Sequence, residues 1–472
     1  MKFSILSHAG MLVESEKKSV LLDPWLIGST YWRSWWNYPS PPKKLIKNLK
    51  PDYIYITHLH WDHFHGPSLQ NLFNNDQKFI VPKFHTKRMV EDLKYLGFEN
   101  IYEIEHGEHF KISDSFSIAS FQVGLIADST CVLYDKDTTL LNMNDCKLFG
   151  LPLKKIIKDF PKIDFFFRSH SSASPIPYCF DDYSFENSKY KNIRPPSEYI
   201  EEFCLSALKV KAKYAVPFAS NHCFLHKDTF KFNKLAVSPD LIPLRYKELA
   251  LQKNLDSQCV VMAPGSSWDS KNGFNIENFD FSKRDLHLEK LLSEKKNTLN
   301  KQYKNEEACL ADYESFQIYF KQLIKTIPWF LKIYKEIDVV FKTKDKNKSH
   351  FWYVNLSSGL IKKVDTNFSS SILIEISPSV LNDCCKIKMF SVWGPSKRLS
   401  IKLNGDGAFT KLTLFLFILD AFELSLFPLK KHFNFRSFKI WSLRWRDFIE
   451  FFKLFFQHYL LNKKFDIVDL YK

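Results

Sequence analysis

The sequence predicts a layered α/β fold followed by a C-terminal α+β extension. Two observations lead there. Short apolar runs such as Tyr53-Ile54-Tyr55-Ile56-Thr57 alternate with helical patterns and end in polar residues. That is the pattern of a sheet covered on both faces, with a site at its edge. From about Asp280 the pattern changes, first to charged helices and then to a second β-rich stretch.

The elements follow in order. Residues 2–6 and 11–13 read as strands around a Ser7-His8-Ala9-Gly10 turn, and 19–22 as a strand running into Asp23-Pro24. The strand at 53–57 delivers the chain into His58-Leu59-His60-Trp61-Asp62-His63, and Gly66-Pro67 breaks it before a helix at 68–72. Strands are expected at 78–81, 101–104, 116–121, 130–134, 138–141, 163–167 and 215–218, with helices at 87–96 and 198–211 among them. Residues 169–177 form a Ser- and Pro-containing loop. The chain divides into a catalytic unit at 1–275, a helical connector at 276–337 and a C-terminal α+β domain at 338–472.

Composition narrows the function classes. The 472 residues suffice for two or three cores, and 45% hydrophobic against 25% charged is a globular mix. A formal charge of +15 invites a nucleic-acid reading. The lysines are scattered, however, and no finger, homeodomain or RNA-recognition signature occurs, so no nucleic-acid partner is expected. Nine cysteines without framework spacing, and no secretory leader after Met1, indicate reduced thiols and a cytoplasmic location. No Cys-x-His occurs, so no Rieske cluster is expected on this chain. Residues 412–429 come nearest to a membrane span but contain Asp420 and Glu423, which favours a buried helix. The aromatic stretch 445–460 is also expected to be buried; membrane contact by this basic tail is the less favoured reading.

The histidine run carries the chemistry. Three imidazoles and a carboxylate from one tight loop can face two adjacent ions. His58 and His60 would hold the first, and Asp62 and His63 the second. Imidazole and carboxylate donors suit zinc, iron or manganese. A bridging carboxylate should come from a distant strand end, and Asp145 fits, after Leu141-Asn142-Met143-Asn144. Asp23 ends another strand and suits the support of a ligand histidine.

These residues resemble the metallo-β-lactamase superfamily, which implies a four-layer αββα sandwich with a one- or two-metal site at one edge. Within it, the chain is similar to the catalytic region of CMP-N-acetylneuraminate hydroxylase. The similarity lies in Asp23-Pro24-Trp25-Leu26-Ile27-Gly28, Arg33-Ser34-Trp35-Trp36, Ile56 to His63, Asp128-Ser129-Thr130-Cys131, Leu141 to Cys146 and Val216-Pro217-Phe218-Ala219. It covers roughly residues 1–265. More faintly, Ile376-Ser377-Pro378-Ser379-Val380-Leu381 resembles sterol-carrier-like terminal domains.

Two departures matter. Lactonase-type hydrolases of the superfamily end a late strand in a ligand histidine, where this chain has Ala219. The usual third-motif histidine is also missing, and Asp128 stands near its place as a candidate ligand. His170, His222 and His226 are candidates for additional ligands or substrate contacts. Arg33 and Trp35 are candidates for clamping a phosphate and stacking a ring.

The resulting expectation is an enzyme with two divalent ions, iron favoured and zinc the alternative. The hydroxylase resemblance implies a monooxygenase acting on a nucleotide sugar or related anionic small molecule, with electrons from a separate protein. The alternative is a hydrolase in which a metal-activated water, oriented by Asp62 or Asp145, attacks a phosphate ester, phosphodiester or lactone.

Overall fold

The computed structural model describes residues 1–123, 128–146, 148–184, 195–346, 348–459 and 471, apart from the side chains of 196, 451, 455, 458 and 459. Two mixed sheets stack face to face. One runs in the order Gly273–Asn275, Ser267–Asp269, Lys2–Ile5, Met11–Ser15, Lys18–Leu22, Tyr53–Tyr55, Lys78–Pro82, Ile101–Ile104. The other runs Gln258–Cys259, Tyr214–Pro217, Phe165–Arg168, Thr139–Asn144, Asp128–Tyr134, Ser117–Val123, His109–Lys111. Between them lies one apolar layer, in which Phe3, Tyr55 and Ile80 of the first sheet meet Leu133, Phe165 and Phe167 of the second.

The strands alternate by face, and both outer faces are covered. Leu141 and Phe166 turn outward from the second sheet onto Leu153, Ile156, Phe203 and Tyr246 of the helices Gly150–Asp159, Pro196–Lys209 and Ile242–Gln252. Leu21, Ile54 and Phe79 turn outward from the first sheet onto Leu69 and Leu93 of the helices Gly66–Leu72 and Arg88–Tyr95. The order helix, sheet, sheet, helix is the αββα sandwich.

A five-stranded sheet follows, in the order Ile361–Val364, Lys348–Asn355, Asp338–Asp345, Ile372–Ile376, Leu399–Leu403. Its centre is a parallel pair, Asp338–Asp345 with Ile372–Ile376, and the other pairings are antiparallel. The helix Tyr313–Thr326 packs Phe316 and Phe320 against Phe341 of this sheet. The helix Ala408–Glu423 buries Leu412, Phe415 and Ile418 in the same core. No described helix is long and apolar enough to cross a membrane.

The tail departs from expectation. Residues 445–460 are expected to be buried, but among the described side chains of the helix Phe435–Tyr459 one face is buried, through Ile440, Arg444 and Phe448, and residue 460 lies outside the described residues. Phe438, Trp445, Ile449, Phe452 and Phe456 face solvent. The spacing explains this: exposed residues recur at intervals of three, four and seven, so they form one stripe, and the helix Gly150–Asp159 and its neighbours can cover only the other.

Candidate metal centre

The strand Tyr53–Tyr55 pairs in parallel with Lys18–Leu22 and Lys78–Pro82, so the loop 56–65 leaves the sheet at its carboxyl edge beside Asp23. Asp23 adopts φ +38°, a left-handed turn that brings its carboxylate under the loop. There it accepts from Thr57 N at 2.8 Å and Thr57 Oγ1 at 2.7 Å. It also accepts from His63 Nδ1 at 2.8 Å and from Asn144 Nδ2. The bond to His63 fixes the tautomer, since Nδ1–H donates to Asp23 and Nε2 is left to a ligand.

Around that nitrogen the other donors gather. His63 Nε2 lies 3.4 Å from Asp62 Oδ2 and 3.5 Å from Asp145 Oδ2. His58 Nε2 and His60 Nδ1 approach to 2.9 Å, and Thr57 Oγ1 lies 3.0 Å from His58 Nδ1. Asp145 reaches the loop because the ladder between Thr139–Asn144 and Phe165–Arg168 slips between Asn142 and Asn144, and Asn144 takes φ +46°. His58, His63 and Asp145 form one group whose donor atoms lie within 4.8 Å of one another, and His8, Asp62 and His63 form another.

The electrostatics match this crowding. Burial and the neighbouring His63 and His60 rings push the His58 imidazole well below its ordinary value, toward the neutral ligand form. Burial works against the charges on Asp62 and His63, but each is overruled by its neighbours. The His63 and His8 rings hold the Asp62 carboxyl well below its usual range. Asp62 and Asp23 hold the His63 imidazolium well above its own. Tyr31 OH donates to Asp62 Oδ1 at 2.5 Å. It does so from a turn in which Tyr31, Trp32 and Arg33 all take positive φ (51°, 53° and 60°). Such strain is of order 1–2 kcal/mol per residue and persists where surrounding structure over-determines it.

A cavity of about 430 Å³ opens over the site, lined by His60, Asp128, Asp145, Trp35 and His222 and walled by Ser169, Ser171, Ser172 and Ser174. Burial and the Asp145 charge push the Asp128 carboxyl up. Trp35 stacks on His222 with ring centroids 3.5 Å apart and an interplanar angle of 7°, so one face of the indole is already occupied. His170 is buried with its backbone N–H on Ser220 Oγ at 3.0 Å. Burial and the neighbouring His8 ring lower its pKa to about 3.

Two candidates stand elsewhere. His226 Nε2 lies 3.2 Å from Glu306 Oε2, in a network with Arg398 and against the Tyr303 ring. It lies two residues beyond the strand His222–Phe224 and ties the sandwich to the helix Arg284–Ala308. Arg33 donates to Gln302 and lines a different cleft, with Trp32, Trp61, Asp92 and Lys386. The left-handed turn that aims Tyr31 at Asp62 sends Arg33 away from the metal loop, so a phosphate clamp at the metal cavity is not its role. Sequence reasoning also missed three residues. His8, Tyr31 and Asn144 touch Asp62 or Asp23 from separate segments, and only the strand-end position of His8 signalled it.

The donor set fits divalent ions. Buried His63 Nε2 has no hydrogen-bond partner among the described residues, and neither do His8 Nδ1 and His222 Nδ1. A merely structural polar cluster would satisfy such atoms. Iron and zinc are both compatible with nitrogen and carboxylate ligands.

Fold and site together define the class: an αββα sandwich of the metallo-β-lactamase type, with histidines and carboxylates at its sheet edge that can hold divalent ions. Residues 6–66 match the Metallo-beta-lactamase superfamily model. The chain is 28% identical over 242 residues to a Mycolicibacterium smegmatis protein named as a Rieske 2Fe-2S iron-sulfur protein, covering 49% of this chain and 46% of that one. It is 30% identical over 152 residues to cytidine monophosphate-N-acetylneuraminic acid hydroxylase of Mus musculus, covering 31% and 26%. At most, the chain spans about half the length of these curated relatives. Among solved structures it is similar to isothiocyanate hydrolase from Delia radicum gut bacteria, with TM-score 0.41 and 17% identity, covering 57% of this chain and 99% of that one.

Proposed function

We propose that the chain is a metal-dependent hydroxylase acting on an anionic sugar nucleotide, CMP-N-acetylneuraminate or a close chemical relative. The supporting observation is a carboxylate-rich, nitrogen-donor site under a serine-walled cavity, in a chain whose relatives include that hydroxylase. A cavity of about 430 Å³ is within the usual range for a small-molecule site. Ser169 and Ser171 offer hydroxyls to a polyhydroxylated ligand, and Trp35 offers an apolar wall.

Bound iron would supply the redox chemistry toward dioxygen, and bound zinc would instead supply a water of lowered pKa. His58, His60 and Asp128 would hold one ion, Asp62 and His63 the other, with Asp145 between them. In hydroxylation one oxygen atom enters a C–H bond and the other leaves as water, which consumes two electrons and two protons. The electrons come from a Rieske-type centre outside residues 1–472, because those residues contain no Cys-x-His ligand pair.

The test supplies iron-loaded chain with a chemical reductant, dioxygen and CMP-N-acetylneuraminate. Oxygen uptake matched to hydroxylated product, and abolished by His60→Ala, is the expected result. Turnover without oxygen uptake would move the chain to metal-activated water chemistry on an ester or lactone. Failure to take up either iron or zinc would overturn both readings.

A further inference from the structure

We propose that His8, in the turn between the first two strands, is a direct ligand of the second metal ion, alongside Asp62 and His63. The inference rests on the two-ion reading of the site and specifies which residue completes it. His8 is 1% exposed, and its Nε2 lies 3.0 Å from Asp62 Oδ2. The same carboxylate oxygen is 3.4 Å from His63 Nε2, and all three donor atoms lie within 4.8 Å of one another.

An ordinary explanation would make His8 a hydrogen-bond donor to Asp62. Two observations argue otherwise. His8 Nε2 is near Asp62 Oδ2 but satisfies no hydrogen bond, and neither does His8 Nδ1. His63 Nε2 is likewise without a hydrogen-bond partner among the described residues. Asp62 already receives a hydrogen bond at its other oxygen, from Tyr31. Two buried imidazole nitrogens and one carboxylate oxygen therefore converge on one point at ion-pair distance, with no aligned hydrogen bond among them. That arrangement is costly unless something positive sits among them.

The surroundings hold the ring for this task. His8 N donates to Asn37 Oδ1 at 2.8 Å, and His8 O accepts from Ala219 N at 3.0 Å. Trp25 and Trp35 flank the imidazole at 5.7 and 5.8 Å between ring centroids, and His222 lies 5.4 Å away. Ala219, buried beside His8, contributes only a methyl group and leaves the space to the imidazole. A ligand from the first turn of the chain thus meets ligands from the loop after the sixth strand, at the same edge of the same sheet.

Cobalt(II) titration of the metal-free chain, read by visible absorption and by metal analysis after gel filtration, tests this. Wild type is expected to bind two ions. His8→Ala is expected to retain one and to lose at least about 100-fold in affinity for the second, the upper end of what a merely supporting residue costs. His8→Gln separates the roles, because its amide can donate to Asp62 but is a poor ligand. Binding as weak as in His8→Ala supports ligation; wild-type binding in either variant overturns it. Circular dichroism and thermal melts of the metal-free variants establish folding, and a variant that melts early is compared below its transition. A wild type that binds no cobalt would sink the two-ion reading, whereas two tight ions in His8→Ala would sink this inference alone.

Discussion

Asp62 in the metal loop and Glu423 in the helix Ala408–Glu423 are both buried carboxylates, yet their environments drive them in opposite directions. Around Asp62, the His63 and His8 rings overcome burial and keep the charge. Around Glu423, burial and the neighbouring Asp420 push the carboxyl up to about 8. Glu423 still accepts from Ser391 N at 2.9 Å, from Tyr319 OH at 3.1 Å and from Phe390 N. Those neutral donors do not offset its burial. Burial alone therefore does not mark a functional carboxylate. The mark is a second set of titratable donors that would leave charge uncompensated unless an ion joined them.

The most disruptive way to break this contrast is to spoil the anchor beneath the metal loop. Asp23 accepts four hydrogen bonds, from Thr57 N, Thr57 Oγ1, His63 Nδ1 and Asn144 Nδ2. Asp23→Asn replaces one acceptor oxygen with an N–H₂ that faces other donors. We expect a 10- to 100-fold loss in metal affinity, roughly the usual cost of removing a residue that orients a ligand histidine. Affinity should also fall as pH falls, because His63 must surrender a proton that Asp62 and Asp23 hold tightly. Metal titrations at two pH values would check both points. Unchanged affinity in the variant would mean that His63 is oriented by something else.

A smaller effect should follow from cutting the link between the two regions. Lys397, on the C-terminal side, is buried, and burial lowers its pKa to about 8. Its Nζ donates to Ala173 O at 3.0 Å and to Ser174 O at 2.9 Å, in the serine loop that walls the metal cavity. Trp35 Nε1 donates to Pro395 O at 2.8 Å two residues earlier. The C-terminal unit thus sets the shape of a cavity whose ligands belong to the sandwich. Lys397→Met keeps the stem but leaves two carbonyls without their donor, at about 1–3 kcal/mol of stability. Metal content should remain at the wild-type value while substrate binding weakens. Loss of metal in Lys397→Met would show that the two regions are coupled more deeply than through the loop.

Legibility in the sequence followed the same division. The metal loop could be read because its four donors fall within six residues after an apolar strand, and the sandwich because its strands keep their pattern. His8, Tyr31 and Asn144 could not, because their roles exist only where segments more than twenty residues apart converge on Asp62 and Asp23. Arg33 misled for the opposite reason. Its tryptophan neighbours suggested a binding cluster, but consecutive left-handed residues turn its side chain toward Gln302. The tail helix misled through composition, since a count of aromatic residues does not say which face the rest of the molecule can reach.

The mildest test concerns Glu423. Its folded value, about 8, lies above the ordinary carboxylate value, so the folded chain binds a proton that the unfolded chain has released at neutral pH. The associated stability is fully present below the unfolded value and is lost as pH rises through about 8. Glu423→Gln removes that titration while keeping an acceptor oxygen for Phe390 N or Ser391 N. Relative to wild type, the variant should therefore gain stability between pH 5 and pH 9, on the order of a few kcal/mol at most. Metal binding should not change. Thermal melts of both proteins across that range would read the difference. A gap that stayed constant with pH would mean that the hydrogen bonds hold Glu423 ionised after all, and the contrast with Asp62 would rest on the histidines alone.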